Sequence, residues 1–271
     1  MSGGSIIEEI MGYGPAFLLI AVRALAMIET APLLSSDAIP QTAKLGLAGF
    51  TAYITFPSAQ ISTWDLTPYT LTFIFLIIGE GIIGIIIGFF LTIIFSAFTT
   101  AGQFFSLQMG FGASETFDPL SQIENPLMGQ YLNLVAMLVF LSIGGFRELF
   151  ITGFWHSVQS INIVNLIEGR EAVITMMLKG LSQLFLDAII ISMPILGTLF
   201  LTSLTTGLIS KAAPQINILS EGFPISITVA FILIFATLPF MVDTFSRLVD
   251  TGFRTLETLY IHIGGQIGGS Q

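Results

Sequence analysis

Long stretches of this sequence contain almost no charged side chain. Residues 66–114 carry a single charge, Glu80, and the runs 188–210 and 222–242 carry none. About 20 predominantly apolar residues are enough for a helix to cross the hydrocarbon of a bilayer. Charged side chains make up about 25% of a typical soluble domain but only 9% of this chain. The sequence therefore predicts an all-α, multi-pass membrane protein.

The organisation of the chain follows from the absence of any polar stretch long enough to form a separate soluble domain. We therefore predict a single membrane-embedded domain over residues 1–271, with flexible ends at 1–9 and 264–271. The first apolar run follows Glu8 and Glu9, and no Lys or Arg precedes it. A secretory signal peptide begins with basic residues, so we expect this run to stay in the mature protein.

Prolines interrupt the apolar runs at Pro194 and Pro239. A proline inside a helix removes a backbone donor and clashes with the preceding turn. Membrane helices tolerate such positions when neighbours satisfy the freed groups. We therefore predict kinked or broken helices and helical hairpins, embedded among other subunits. If Pro194 only kinks its helix, residues 174–209 form one very long helix, and the helix over 79–100 is able to continue to Met109.

Several functional classes are excluded by residue content. The formal net charge of −9 argues against binding to nucleic acid, which needs basic patches. The chain has no cysteine, and neither His156 nor His262 belongs to an H-E-x-x-H zinc motif. A phosphate-binding G-x-x-x-x-G-K-[ST] loop is also absent from the sequence. We therefore expect no enzymatic activity and no cofactor or metal.

Six ionisable side chains lie inside or beside apolar runs. Each costs roughly 2.5–3.5 kcal/mol to insert in a membrane, so each is a candidate for function. They either line an ion or proton path, form structural pairs between helices, or face water. Arg23 and Glu80 suit an inter-helix pair, whereas Asp187 and Asp243 have no local support as an aspartyl catalytic pair. The set is Arg23, Glu29, Glu80, Lys179, Asp187 and Asp243.

Two further motifs indicate packing and a turn. Gly84 and Gly88 share one helix face and let another backbone come close. The stretch SKAAPQINILSEGFPI, 210–225, contains two X-Pro breaks, at Pro214 and Pro224, and residues before proline avoid the helical region. It predicts a turn between two apolar helices. Gln215 and Asn217 lie between the prolines and offer hydrogen bonds to exposed backbone groups at the helix ends.

The stretch GFGASETFDPLSQIENP, 110–126, differs sharply from its apolar surroundings. It carries Glu115, Asp118 and Glu124 and no basic residue. Irregular backbone cannot face hydrocarbon, because each unpaired group costs several kcal/mol there. This acidic segment must therefore face water, protein or a lumen. An ordinary water-exposed connection between helices satisfies the same requirement.

Four stretches in this order resemble the FliR/SctT family of type III export-gate proteins. GLISKAAPQINILSEGFPI (207–225) is similar to the family's Arg-Ala-Pro-Gln-x-Asn turn followed by Gly-Phe-Pro. GEGIIGIIIGFF (79–90), AGQFFSLQMGFGASETFDP (101–119) and LVFLSIGGFREL (138–149) resemble three further family segments. Arg23, Pro32 and Pro40 also lie where the family places them. Two departures are Lys211 in place of Arg and Phe146 in place of His.

The resemblance implies a subunit of a helical export-gate assembly. Such a subunit assembles with homologues of FliP, FliQ and FlhB in the bacterial inner membrane, at the flagellar basal body. Unfolded flagellar proteins pass through the pore of this assembly. The motifs favour the flagellar branch over an injectisome SctT-type gate. An ion-coupled solute transporter using Glu80, Lys179 or Asp187 is the rival hypothesis. Purification with and without co-expressed FliP and FliQ separates the two, because only the gate subunit depends on its neighbours.

In the family, the loop that matches residues 110–125 plugs the pore. The residue types present in this stretch suit that role. Glycines give the backbone freedom, phenylalanines supply bulk to close a narrow passage, and the acidic residues keep the loop out of lipid. The predicted plug residues are Gly110, Phe111, Gly112, Glu115, Phe117, Asp118 and Pro119.

Overall fold

The computed structural model describes residues 3–59, 71–110, 127–212 and 218–265, and their side chains over 13–59, 71–110, 127–212 and 222–264. Regular structure in these residues is helical, which confirms the predicted all-α class. The longer helices are α1 (Gly3–Thr30), α2 (Gln41–Thr55), α3 (Leu71–Met109) and α4 (Leu127–Ser142), with α8 (Arg170–Ala212) and α9 (Ile218–Gly265) at the C-terminal end. Between α4 and α8 lie α5 (Gly145–Glu148), a π-helix (Leu149–Trp155), α6 (His156–Ser160) and α7 (Ile163–Glu168).

Four of the described helices are long and apolar enough to cross a membrane, which bears out the multi-pass prediction. A fifth span is present if α4 and the helical stretch Gly145–Ser160 count as one broken crossing. The break between them falls at Ile143 and Gly144, and Gly144 has a φ of 74°. Glycine enters this left-handed region without the steric penalty of a Cβ. The four spans are Tyr13–Thr30, Leu71–Met109, Arg170–Ala212 and Gly222–Gly264.

The prolines do not break these helices. Pro194 lies inside α8 and Pro239 inside α9, so the breaks that the sequence suggested at these two positions are not observed. A proline removes one backbone hydrogen bond from a helix. Opening a helix in apolar surroundings leaves several polar groups unpaired, and each costs several kcal/mol. The α8 and α9 helices therefore accept the local defect and continue.

The described residues form two compact units. The first combines α1, α2, the part of α3 up to Thr92, the stretch Gly144–Lys179 and the end of α9 from Asp250. The second takes its residues from Ile93–Ile143 and Gly180–Val249. Each unit has its own buried apolar core.

In the first unit, α1 and α3 approach closely at glycines. A Cβ on Gly84 would lie 2.8 Å from the Cβ of Ala26, and a Cβ on Gly88 would lie 2.8 Å from the Met27 carbonyl oxygen. Neither distance is tolerable between real atoms. The Thr92 hydroxyl, one turn further along, donates to the Thr30 carbonyl at 2.9 Å. The spacing of Gly84 and Gly88 thus lets two helix backbones meet, as small residues do in membrane proteins.

The core of the second unit contains a cluster of phenylalanine rings. Phe245 lies edge-to-face against Phe98 and Phe95, with ring centroids 4.9 and 5.2 Å apart, and Phe95 contacts Phe140 at 5.4 Å. Such geometry is favourable beyond the area that it buries. The cluster joins α3, α4 and α9.

Substituting Gly84 with alanine should destabilise the protein by about 1–3 kcal/mol, the usual cost of overpacking. The new methyl group would meet the backbone of α1, which has no side-chain freedom with which to yield. Gly81→Ala is the matched control on the same helix, because its Cβ would make an ordinary 3.8 Å contact with Val22. Thermal unfolding of the two variants in detergent tests this prediction. Equal stability of both would contradict it.

Candidate functional site

Arg23 lies at the centre of the first unit and is fully buried. Its Nε donates to the Glu80 carboxylate on α3. Its Nη1 donates to the Ser157 hydroxyl at 3.2 Å, and its Nη2 to the Ile161 carbonyl at 3.0 Å. One guanidinium on α1 therefore bonds to α3, to α6 and to the residue that follows α6.

The geometry explains why an arginine occupies this position. A guanidinium presents several donors in a rigid planar fork and stays charged when buried. The Ser157 hydroxyl that accepts from Arg23 also donates to the Phe154 carbonyl at 2.6 Å. Glu80 is also buried, so the positive and negative charges compensate each other locally. The structure thus brings together two of the six ionisable side chains predicted as candidates, Arg23 and Glu80, and it places them in a structural cluster.

A tyrosine from the end of α9 completes this region. The hydroxyl of Tyr260 is buried and donates to the Gly153 carbonyl at 2.8 Å, inside the π-helix. Where an i→i+5 helix passes into an α-helix, backbone carbonyls are left to find other donors. A Cβ on Gly264 would lie 3.0 Å from the Ser160 carbonyl oxygen, so the same helix end packs closely on α6. Sequence reasoning missed Ser157 and Tyr260, because neither belongs to a local motif.

A second ion pair in the first unit holds α1 and α2 together. Lys44 is almost fully buried, and its Nζ donates to the Glu29 carboxylate at 3.1 Å and to the Ser35 carbonyl at 3.1 Å. Glu29 was a candidate from sequence, whereas its partner was not. The run of apolar residues around Lys44, AKLGLAGF, was the available signal.

The remaining candidate charges are not gathered into a site. Lys179 is exposed on α8. Asp187 is buried and accepts a hydrogen bond from Gln183 Nε2 at 2.9 Å. Asp243 pairs with Arg247 at 2.9 Å on the exposed surface of α9. Among the described residues, no group of three or more His, Asp or Glu side chains is placed to hold a metal ion.

The predicted plug begins where α3 ends. Gly110 follows the last helical residue with a φ of 91°, and its N–H donates to the Leu107 carbonyl at 3.1 Å. A left-handed glycine is a common way to terminate a helix. The Phe223 ring packs against this glycine. The other predicted plug residues lie outside the described residues: Phe111, Gly112, Glu115, Phe117, Asp118 and Pro119.

The predicted turn between α8 and α9 is shorter than expected. Its residues Pro214, Gln215 and Asn217 lie outside the described residues, but Pro224 is the seventh residue of α9. The prediction that the turn extends to Pro224 is therefore wrong. Pro224 lies beyond the first four N–H groups, which have no intrahelical partner, so α9 accepts the loss of one hydrogen bond here as it does at Pro239.

Comparison with known proteins decides the family. The model for "Bacterial export proteins, family 1" matches residues 15–252 of the 271. The chain belongs to this family of bacterial export proteins. The matched range includes Arg23, Glu80, Gly110 and Phe223.

Individual relatives in the export family are similar over most of their length. Flagellar biosynthetic protein FliR of Bacillus subtilis is 28% identical, over 95% of this chain and 99% of its own. The protein of the same name from Escherichia coli is 30% identical, over 88% of this chain and 90% of its own. That from Borreliella burgdorferi is 32% identical, over 69% of this chain and 70% of its own.

Replacing Arg23 with methionine should cost about 3–5 kcal/mol of stability, because it leaves the Glu80 carboxylate buried without its partner. Adding Glu80→Leu to the same variant should recover much of this loss. Arg247→Met is the control, because an exposed pair such as Arg247–Asp243 contributes only about 0–1 kcal/mol. Thermal unfolding of the three variants in detergent measures these differences. An Arg23→Met protein as stable as the parent would refute the structural role of the cluster.

Proposed function

We propose that this chain is a subunit of the flagellar protein export gate in the bacterial inner membrane, at the base of the flagellum. It assembles there with homologues of FliP, FliQ and FlhB, and unfolded flagellar proteins cross the membrane through the pore of the assembly. Membership of the bacterial export family supports an export role. The names of the relatives, all flagellar, favour the flagellar system over an injectisome.

The observation that carries the proposal is the length of the apolar face that α8 exposes, for which α3 provides the comparison. The 39 residues of α3 extend over about 58 Å at 1.5 Å per residue. The hydrocarbon of a bilayer is about 30 Å thick, and even a tilt of about 40° lengthens the path through it only to about 39 Å. On α3 the exposed large apolar side chains extend from Leu71 to Phe89, about 28 Å, and Leu107 alone lies beyond them. A bilayer is able to cover this stretch, so α3 by itself does not require protein neighbours.

The helix that exceeds the bilayer is α8, which has 43 residues. Its exposed large apolar side chains extend from Ile174 to Ile209, about 54 Å. On α9 they extend from Phe223 to Phe240, and the exposed positions that follow are mostly polar. Contiguous exposed apolar surface of this extent marks contact with protein or membrane. Because the exposed apolar face of α8 is longer than the bilayer covers, we infer that other protein chains cover the remainder. This requirement fits a subunit of a multi-chain assembly.

An ion-coupled transporter has less support. Such a transporter needs ionisable groups that are free to bind a coupling ion near the membrane midplane. The Glu80 carboxylate is bound to Arg23, and Asp187 is bound to Gln183. Lys179 is exposed and has no part in either contact. Two of the three groups proposed for coupling are thus bonded to other side chains, and the third is exposed. This favours a structural role for the buried charges and a non-catalytic function for the chain.

We further propose that residues 110–125 plug the pore at rest. A channel wide enough for an unfolded polypeptide would leak ions and dissipate the proton gradient unless something closed it. A single subunit is able to close such a channel if it carries an irregular segment with bulky side chains that fill the passage. Phe111 and Phe117 supply the bulk, and the carboxylates of Glu115, Asp118 and Glu124 hinder the passage of anions.

The connection between α8 and α9 is proposed as an assembly element and not as a catalytic one. Pro214 restricts the backbone just after α8 ends at Ala212. Gln215 and Asn217 carry side-chain amides that are able to bond backbone groups of a helix end. These residue types favour a fixed geometry at the tip of a long apolar hairpin, where neighbouring subunits would contact it.

Deleting residues 111–117 should leave the gate assembled but permeable to small ions. Cells that produce the deleted form, together with its FliP and FliQ partners, should lose membrane potential and take up small solutes. Membrane potential and solute uptake are measured directly, and co-purification of the partners establishes assembly.

The control replaces the three carboxylates of the segment by amides, with the variants Glu115→Gln, Asp118→Asn and Glu124→Gln combined. This change keeps the bulk of the segment, so the assembly should remain closed to neutral solutes. An assembled complex that lacks 111–117 and is still tight would rule out a plugging role.

A further inference from the structure

Two charge-free runs flank the connection between α8 and α9. They cover residues 188–210 and 222–242 and extend over about 35 and 32 Å, close to the thickness of about 30 Å of the hydrocarbon layer. On the side away from the connection, each run ends at a carboxylate, Asp187 on α8 and Asp243 on α9. Asp187 lies 25 positions before the last residue of α8, and Asp243 lies 25 positions after the first residue of α9. Both helices thus indicate the same position for one edge of the hydrocarbon.

Past these two acids, away from the connection, both helices carry exposed charged side chains. Charged groups are costly to place in hydrocarbon, so lipid does not cover these faces. Asp243 pairs with Arg247. Six further exposed charges, three of each sign, have no ion-pair partner among the residues that the structure describes. They are Arg170, Glu171 and Lys179 on α8, and Asp250, Arg254 and Glu257 on α9.

The charged segments of the two helices begin at one contact in the first unit. A Cβ on Gly169, the residue before α8, would lie only 2.8 Å from Cγ1 of Ile263, near the end of α9. Because a real Cβ atom does not fit at this distance, the glycine lets the isoleucine side chain pack directly on the backbone. The first turn of α8 and the last turn of α9 are therefore neighbours, and both helices are exposed and charged within a few turns of this contact.

Four large apolar side chains are exposed in the same part of the first unit. Val164 and Ile167 on α7 are 58% and 57% exposed, and Ile174 and Leu178 on α8 are 55% and 63% exposed. Ile174 and Leu178 lie on the same helix face as the charged Glu171, because residues three, four and seven apart share a face. An exposed apolar patch with polar residues at its rim marks an interaction site. Since the charges exclude lipid, protein is the cover that fits.

We propose that Val164, Ile167, Ile174 and Leu178, the α7–α8 patch, bind an amphipathic helix of another protein chain outside the hydrocarbon layer. The inference rests on the proposed function in an export gate, and it adds where on α8 the neighbour binds. Hydrocarbon is able to cover residues 188–210, and the partner covers the part before Asp187. Because unpaired charges of both signs lie beside the patch, the partner helix that fits carries charges of both signs beside its own apolar face.

The chain contains no cysteine, so a single introduced cysteine reports water access at one position. A membrane-impermeant maleimide is added to vesicles that are open to the reagent on both sides. In the chain produced alone, Leu178→Cys and Thr258→Cys, on the polar face of α9, should react, whereas Leu204→Cys in the charge-free run should not. Co-production of the FliP, FliQ and FlhB homologues should slow the reaction of Leu178→Cys at least tenfold.

A second measurement applies if the chain does not accumulate alone. Ile174→Glu combined with Leu178→Glu should lower the recovery of co-purified partners severalfold. Thr258→Glu is the control, because it adds a carboxylate to a face of α9 that is already charged, and it should leave recovery unchanged. Equal recovery with the double variant would overturn the proposal.

The outcomes separate this interface from the function on which it rests. If the parent chain recovers its partners but Leu178→Cys reacts equally with and without them, the interface is wrong and the export gate stands. If neither Leu178→Cys nor Thr258→Cys reacts in the chain produced alone, the assigned hydrocarbon edge is wrong and the proposal fails. If the parent chain recovers no partner at all, the proposed gate function itself fails.

Discussion

The buried guanidinium of Arg23 is the constraint around which the first unit is arranged. A charged group in apolar surroundings is tolerated only when its charge is compensated and its donors are bonded. Arg23 meets both conditions by reaching Glu80, Ser157 and the Ile161 carbonyl. Because these partners come from separate parts of the chain, the arginine is satisfied only when α1, α3 and the end of α6 are assembled correctly. If these segments packed differently, the charge of Arg23 would be buried without its partners at a large electrostatic cost, so the cluster favours this one arrangement.

A second constraint is the mismatch between helix length and membrane thickness. Each of α3, α8 and α9 is about twice as long as the hydrocarbon layer needs, and the exposed face of α8 stays largely apolar from Ile174 to Ile209. A protein that functioned alone would carry polar side chains on the parts outside the membrane. The exposed face of α9 changes in this way after Phe240, whereas that of α8 does not. Neighbouring protein chains that cover α8 would account for the difference.

Local features of the sequence predicted much of the fold, but they did not predict contacts between residues that are distant in the sequence. Apolar runs gave the helical membrane class, and the change of composition at Gly110 marked the end of α3 at Met109. The hydrogen bond from Tyr260 to Gly153 joins residues far apart in sequence, so no local pattern indicated it. The apolar run around Lys44 was a local signal of its burial, but it did not indicate the partners Glu29 and Ser35.

The prolines misled for a different reason. Local propensity gives a proline a large cost inside a helix. In apolar surroundings the alternative, a chain break with several unpaired groups, costs more. For this reason α8 continues through Pro194, and α9 continues through Pro239 and begins before Pro224. At the Arg23 cluster, in contrast, a general rule led to the right prediction. The cost of burying a charge suggested that Arg23 and Glu80 pair, and the structure adds Ser157 and Ile161 as further partners.

Whether protein covers the exposed apolar faces can be measured directly. A photo-crosslinking amino acid placed at Phe75, Leu208 or Phe235, which are 66%, 71% and 81% exposed, reports the neighbours of α3, α8 and α9 in intact membranes. An export-gate subunit predicts defined crosslinks to other protein chains, recovered at specific masses and lost when the partner subunits are not produced. Adducts with lipid alone at all three positions would contradict the account, because the long helices would then need no protein neighbours.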